Sequence, residues 1–212
     1  MNILVEKLRE NNFPVLFRLN DLYNLNFDKD KLFKNYDEAV NNNWIENVYG
    51  DIYTLKEEYR GKPVSKCVLS QMIEQYSYVS LYYVLCKHYW IPEFVFSITS
   101  VTAEKNYDIE TGKYGTLMYM KLYDKLPEKG IYEEKKSSGS YKIAKPLRAL
   151  CDLMLLRERN WKCIDNLYEE IRIDHFSLEE DLKGEDFDEL QGSFGVKNVE
   201  IFLEGIRKEL KL

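Results

Sequence analysis

The chain has 212 residues, 45% hydrophobic and 14% aromatic, enough apolar material to bury a sizeable core, which excludes an intrinsically disordered protein. Its 30 basic and 36 acidic side chains leave a net charge of −6, split as 8 basic against 11 acidic over residues 1–60, 10 against 9 over 61–141 and 12 against 16 over 142–212. No segment is strongly basic, which argues against tight nonspecific nucleic-acid binding driven by counterion release but leaves room for a small basic patch on a helix end.

Residues 2–10 carry apolar groups at Ile3, Leu4 (or Val5) and Leu8, one face of a short helix that Asn11 and Asn12 end. Pro14 fixes an extended entry, and Leu16 and Phe17 pack on the core. Asn20 or Asp21 caps a second helix running to about Leu25, with Leu22 and Leu25 inward. Asp28 caps a third, from about Lys29 to Asn42, with an apolar stripe of Leu32, Phe33, Tyr36, Ala39 and Val40. Lys29, Lys31, Lys34, Asn35, Glu38 and Asn41 then face largely outward.

From Trp44 to Leu55 two β-like runs flank Tyr49-Gly50-Asp51, where glycine supplies the positive φ of a tight turn. Three helices followed by a β-hairpin is the winged-helix order, in which the third helix enters the DNA major groove and the wing touches phosphate. On that reading Lys29, Lys31 and Lys34 hold phosphates, Asn35 pairs bidentately with adenine, and Arg18 adds a phosphate contact near the second helix. The hairpin tip has no basic residue, and the third helix also carries Asp30, Asp37 and Glu38. A winged-helix protein-interaction module that does not bind DNA is therefore the alternative.

Charge, Gly61 and Pro63 make residues 56–65 the expected domain boundary, giving a winged-helix domain over 1–60 and a mixed α/β domain over 61–212. The expected class is α+β. Val64 to Tyr76 reads as a helix with Val68, Leu69, Met72 and Ile73 inward. Ser80 is placed to N-cap a short helix through Val84, Leu85 and His88, which Pro92 blocks. Phe94 to Thr102 has the composition of a buried strand. The region 103–113 reads as polar turns and Tyr114 to Leu126 as a strand. Ile131-Tyr132 starts another strand, and Lys135 to Ser140 reads as a mobile polar loop. Pro146 suits the first position of a helix whose Leu150, Leu153 and Met154 are buried. From Trp161 the chain is helical and acidic, ending in an amphipathic helix over Val199–Leu210 with Ile201 or Phe202, Leu203 and Ile206 inward. The many tyrosines and phenylalanines read as core rather than as a base-stacking platform.

The chemistry-bearing residues form no catalytic signature, so no enzyme and no cofactor are expected. Phosphate-binding glycine patterns are absent. Cys67, Cys86, Cys151 and Cys163 show no C-x-x-C spacing and, with His88 and His175 alone, no metal site is expected; the thiols read as reduced core residues. His88 reads as a satisfied, half-buried group and His175 as a cap or surface group. Asp108-x-Glu110-x-x-Lys113 is similar to the acid–lysine sets of metal-dependent nucleases, but such triplets arise often by chance in a chain this charged. The acidic C-terminal helices read as a solvated face. No apolar run approaches the roughly 20 residues of a membrane span, and the first ten residues put charges where a signal peptide would need an apolar run, so a cytoplasmic protein without membrane partners is expected.

Four ordered segments resemble the AbiEi antitoxins of type IV abortive-infection systems. Tyr78-Val79-Ser80-Leu81 with His88-Tyr89-Trp90-Ile91-Pro92-Glu93 looks like "YVSL…ALxxHGLIPE" in that family. Phe96 to Thr102 looks like "vxxITxVT", Ile143 to Asp152 like "IAxPEKALLD", and Tyr49 to Tyr53 loosely like the "rGvY" wing. The chain departs from the family at Tyr89-Trp90, at Leu147-Arg148 and at Tyr49, which stands where the wing has arginine. The resemblance implies an N-terminal winged helix on a larger C-terminal domain. It also implies an autorepressor that binds inverted repeats in its promoter DNA. The C-terminal domain would neutralise a cognate nucleotidyltransferase toxin, a pairing that need not involve a stable complex.

Overall fold

The computed structural model describes residues 2–10, 13–136 and 138–212. The chain is α+β, with a three-stranded sheet near the N-terminus and a six-stranded mixed sheet in the larger part. No helix among the described residues is long and apolar enough to cross a membrane.

Helix α1 (Ile3–Glu10) buries Leu4, Val5 and Leu8 and leaves Ile3 exposed, so Val5 rather than Ile3 completes its inner face. The expected stop at Asn11 and Asn12 lies outside the described residues. Strand β1 (Phe17–Arg18) leads into a 3₁₀ segment, Leu19–Leu25, in place of the expected α-helix. Its cap position is Arg18, not Asn20 or Asp21; Asp21 sits three residues in and accepts a hydrogen bond from the Arg18 N–H at 2.7 Å. Helix α2 (Lys29–Asn41) follows, then the hairpin β2 (Ile45–Tyr49) and β3 (Ile52–Leu55), with Gly50 at φ +53° in its turn. Both β1 and β2 pair antiparallel with β3, giving the order β1-β3-β2. The apolar stripe of α2 is narrower than its spacing predicts: Leu32 and Ala39 are buried, whereas Phe33 and Val40 are exposed.

Two buried clusters share the chain. One draws on residues between Leu4 and Leu55, including Phe17. The other holds Leu16 and Ile52 together with residues from Cys67 to Ile206. Leu16 and Phe17 therefore point into different cores, as neighbours on an extended backbone do.

Beyond the first sheet come α3 (Lys66–Ile73), β4 (Ser77–Val79), α4 (Leu81–Lys87), β5 (Ile98–Thr102), β6 (Tyr107–Glu110), β7 (Thr116–Lys121), β8 (Ile131–Lys136), β9 (Gly139–Ala144) and α5 (Pro146–Leu156). The strands run in the order β6-β7-β5-β4-β9-β8, with β5–β7 and β4–β9 parallel and the other pairs antiparallel. Tyr78 pairs with Val101 and Val79 with Ser100, so Tyr78 and Ser100 point to opposite faces. Ser70 of α3 bonds Ser100 and Tyr119, while Tyr78 bonds Asp152 of α5, which places α3 and α5 on the two faces of the sheet.

Several expectations are corrected here. The helix expected to Tyr76 ends at Ile73 and β4 follows. The strand expected from Phe94 begins at Ile98, and Phe94 and Phe96 are exposed rather than core. The polar region 103–113 contains β6. Lys135, Lys136, Gly139 and Ser140 belong to the β8–β9 hairpin, not to a loop; Ser137 lies outside the described residues. Four C-terminal helices, α6 (Ile164–Ile171), α7 (His175–Asp181), α8 (Gly184–Leu190) and α9 (Lys197–Glu209), complete the chain, with Phe202 inward and Ile201 largely outward on α9.

Candidate functional site

The residues singled out for nucleic-acid contact lie on α2 and beside it. Asp28 accepts hydrogen bonds from the N–H groups of Asp30 and Lys31, at 3.1 and 3.4 Å, and fixes the start of the helix. At about 100° per residue, Lys34, Lys31 and Asn35 fall within an arc of about 100°, and Lys29 stands roughly 120–160° round the helix from them, beside Phe33 and Val40. The structure therefore brings three of the four to one side. Lys31 and Lys34 are exposed and, among the described residues, neither has an ion-pair partner. Lys29 Nζ lies 5.9 Å from the Tyr23 ring centroid, and Tyr23 meets Phe33 edge-on with centroids 6.4 Å apart.

Asn35 is half-buried, and its side-chain amide donates to the Lys31 carbonyl at 2.7 Å. Its own carbonyl accepts from Asn2 Nδ2 at 3.0 Å. Reading a base requires that amide to leave its bond to the helix. Arg18 is more firmly engaged. Its guanidinium pairs with Asp51 in the β2–β3 turn and donates to the Met72 carbonyl of α3 at 2.6 Å. It ties the first sheet to the larger part of the chain and is not a free cation.

A second tie runs through Glu46 on β2. Its carboxylate accepts from Lys113 Nζ at 2.8 Å, the Tyr114 hydroxyl at 2.7 Å and Arg60 at 3.3 Å. Burial pushes its pKa up, but the bonds from Lys113 and Tyr114 outweigh burial and hold it below the usual carboxylate value. Lys113 is thus turned to Glu46, while Glu110 accepts from Thr116 Oγ1 at 2.8 Å. The nuclease-like triplet is not gathered into a site. Among the described residues no three His, Cys, Asp or Glu side chains are placed to hold a metal ion.

The densest polar constellation is buried. Arg148 and Asp152, one turn apart on α5, have fully buried side chains. Asp152 Oδ1 accepts from Arg148 Nε at 2.9 Å and the Tyr123 hydroxyl at 2.7 Å. Oδ2 accepts from Ser80 Oγ at 2.7 Å and the Tyr78 hydroxyl at 3.0 Å. Arg148 also donates to the Lys129 carbonyl at 3.3 Å, and the Phe194 ring lies 4.4 Å from its guanidinium carbon. Burial pushes the hydroxyls of Tyr78 and Tyr123 far above the ordinary tyrosine value, so both act as neutral donors. Four donors occupy the carboxylate. Its chemistry is to lock β4, the start of α4, α5 and the segment before β8 together. Ser80 was expected to cap α4 with its hydroxyl; that hydroxyl goes to Asp152 instead and makes no cap bond. The segments that carry these residues stand out in the sequence, but nothing in them signals that they meet.

His88 is half-buried, with Nδ1 3.8 Å from Asp181, and its Nε2 is buried without a hydrogen-bond partner, contrary to the expected satisfied histidine. Burial, followed by the neighbouring Lys87 charge, lowers its pKa. His175 is exposed and bonds Glu179 at 2.9 Å. The cysteines are free, with Cys67 and Cys151 buried and their thiols pushed up by burial, the wrong direction for a nucleophilic thiolate. No protein-family model matches the chain, and no curated protein matches it.

Proposed function

We propose that this chain is a regulator of the AbiEi kind, an antitoxin and transcriptional autorepressor rather than an enzyme, acting in the cytoplasm. Residues 1–60 form a winged helix-turn-helix, with the 3₁₀ segment and α2 as the helix-turn-helix and β2–β3 as the wing. Residues 61–212 form the antitoxin domain, which neutralises a nucleotidyltransferase toxin. The observation that carries the reading is the order of the first 55 residues: helix, short strand, second helical segment, long helix and hairpin, the first strand closing a β1-β3-β2 sheet. This order supports the winged-helix reading, on which α2 is the helix that enters the major groove. Two of the segments that resemble the family also meet in one cluster, Tyr78 and Ser80 with Arg148 and Asp152, which supports a shared domain architecture.

A protein-interaction role without DNA binding is the second reading. It is favoured by the tie of Arg18 to Asp51 and by the excess of 11 acidic over 8 basic residues in 1–60. Titrating the full chain against its own upstream DNA at about 50 and 200 mM salt separates the two. The regulator reading expects a shifted band that weakens steeply with salt. Absence of a shift at both concentrations ends autorepression and leaves the interaction module. Growth rescue on co-expression with a neighbouring nucleotidyltransferase tests the antitoxin half, and unrelieved toxicity ends it.

A further inference from the structure

A groove of about 580 Å³ lies between α1 and residues 55–62, and a second, of about 490 Å³, lies between the start of α3 and the β8–β9 hairpin. The second has the more selective chemistry. Three lysines line it, Lys66, Lys87 and Lys136, in a chain whose net charge is −6. Like charges lining one groove repel unless a counter-charge holds them. Glu134 supplies it: Lys87 pairs with one carboxylate oxygen, and Lys136 with the other at 2.5 Å. The Glu134 side chain is only 16% exposed. Burial pushes its carboxyl up, yet the bonds from Lys136 and Lys87 more than reverse this and hold it at about 2, so it stays ionised. One carboxylate thus orders two ammonium groups, and Lys66 has no ion-pair partner among the described residues. The groove keeps two positive charges in excess.

The other lining groups suit the same kind of ligand. Ser65, Lys66 and Cys67 form the first turn of α3, where backbone N–H groups lack intrahelical partners and the helix dipole favours an anion. Among the described residues, the Ser65 hydroxyl accepts only from the Val68 N–H, at 3.3 Å. Phe96 also lines the groove and is 81% exposed, although its strand-like context predicts burial. Tyr83 and Val95 add aromatic and apolar wall to the same groove. The volume is in the range of small-molecule sites.

We propose that this groove binds a nucleoside phosphate, the lysines and the α3 N-terminus taking the phosphates and Phe96 taking the base. The site is separate from α2 and does not depend on the regulator reading. Isothermal titration of the full chain with ATP and with inorganic tripolyphosphate tests it. Both bind saturably, ATP more tightly. Lys66→Ala and Lys136→Ala each weaken both by about tenfold, because each removes one charge-assisted contact. Phe96→Ala weakens ATP alone. Thermal melts of the three variants verify that each is folded, as expected for side chains that are at least partly exposed. Absence of saturable binding of either probe at millimolar concentration overturns the proposal, as does binding that folded Lys66→Ala and Lys136→Ala leave unchanged. Equal affinity for both probes, insensitive to Phe96→Ala, overturns the nucleoside assignment. Since no promoter DNA is used, this result is independent of the band-shift outcome.

Discussion

Ser80 and Asp152 stand 72 positions apart in the chain, and their side chains meet at 2.7 Å, the hydroxyl donating to the carboxylate. The bond anchors the start of α4 on α5, where the backbone needs an anchor: Leu81, the first residue of α4, has φ +59°, in the left-handed region. The same carboxylate neutralises the buried Arg148 guanidinium. Asp152→Ala leaves that charge and three hydroxyls without their acceptor and is expected to cost about 3–5 kcal/mol in urea denaturation. Arg148→Met with Asp152→Leu, which removes both charges, is expected to cost less than Asp152→Ala alone. If the double replacement costs as much as the two single changes added together, the residues do not act as a pair.

The helices that were legible from residue order are those with strong local signals. Pro146 opens α5 as its first residue, and Asp28 caps α2 as expected. Strand β4 escaped because three consecutive buried residues, Ser77 to Val79, show no alternation. In β6, Tyr107 to Glu110, charged exposed positions read as a turn region. The exposure of Lys31 and Lys34 was legible from helical spacing. The engagement of Arg18 was not, since its partners Asp51 and Met72 lie 33 and 54 positions away. Phe94 and Phe96 misled for a related reason: apolar composition reports a residue's preference, not whether a neighbour arrives to cover it.

Gly205 on α9 is the position least tolerant of a side chain. A Cβ there meets the Lys162 carbonyl oxygen at 2.0 Å, a backbone atom that no rotamer change can move aside. Gly205→Ala is expected to destabilise by about 3 kcal/mol, despite alanine's better helix propensity. A thermal melt unchanged from that of the parent chain contradicts this close approach of α9 to the segment before α6.

The Glu46 tie gives the junction a definite pH dependence. Its folded pKa lies below the ordinary carboxylate value, so the unfolded chain binds the proton more readily. The stabilisation is complete above the ordinary value near 4.5 and is lost as pH falls through the folded value. Glu46→Gln is expected to cost about 1–3 kcal/mol at pH 7, since it weakens bonds to Lys113, Tyr114 and Arg60. The gap between parent and variant melting temperatures is expected to narrow as pH falls below 4.5. A gap that stays constant down to pH 3, about one and a half units below that value, removes Glu46 as the source.

The cations near α2 are expected to divide by their engagement. Lys31 and Lys34 are exposed and unpaired among the described residues, so on the regulator reading replacing either with alanine is expected to weaken binding to upstream DNA with little effect on stability. Each replacement lowers the slope of log affinity against log salt by about 0.9 if its ammonium sits on a phosphate. Arg18 is committed to Asp51 and the Met72 carbonyl, so Arg18→Ala lowers the melting temperature and leaves the salt slope nearly as it was. The two measurements on one set of variants separate a phosphate contact from a structural tie. The opposite pattern, with the slope falling for Arg18→Ala and constant for Lys31→Ala and Lys34→Ala, moves the interface away from this face of α2 and onto the turn around Asp51.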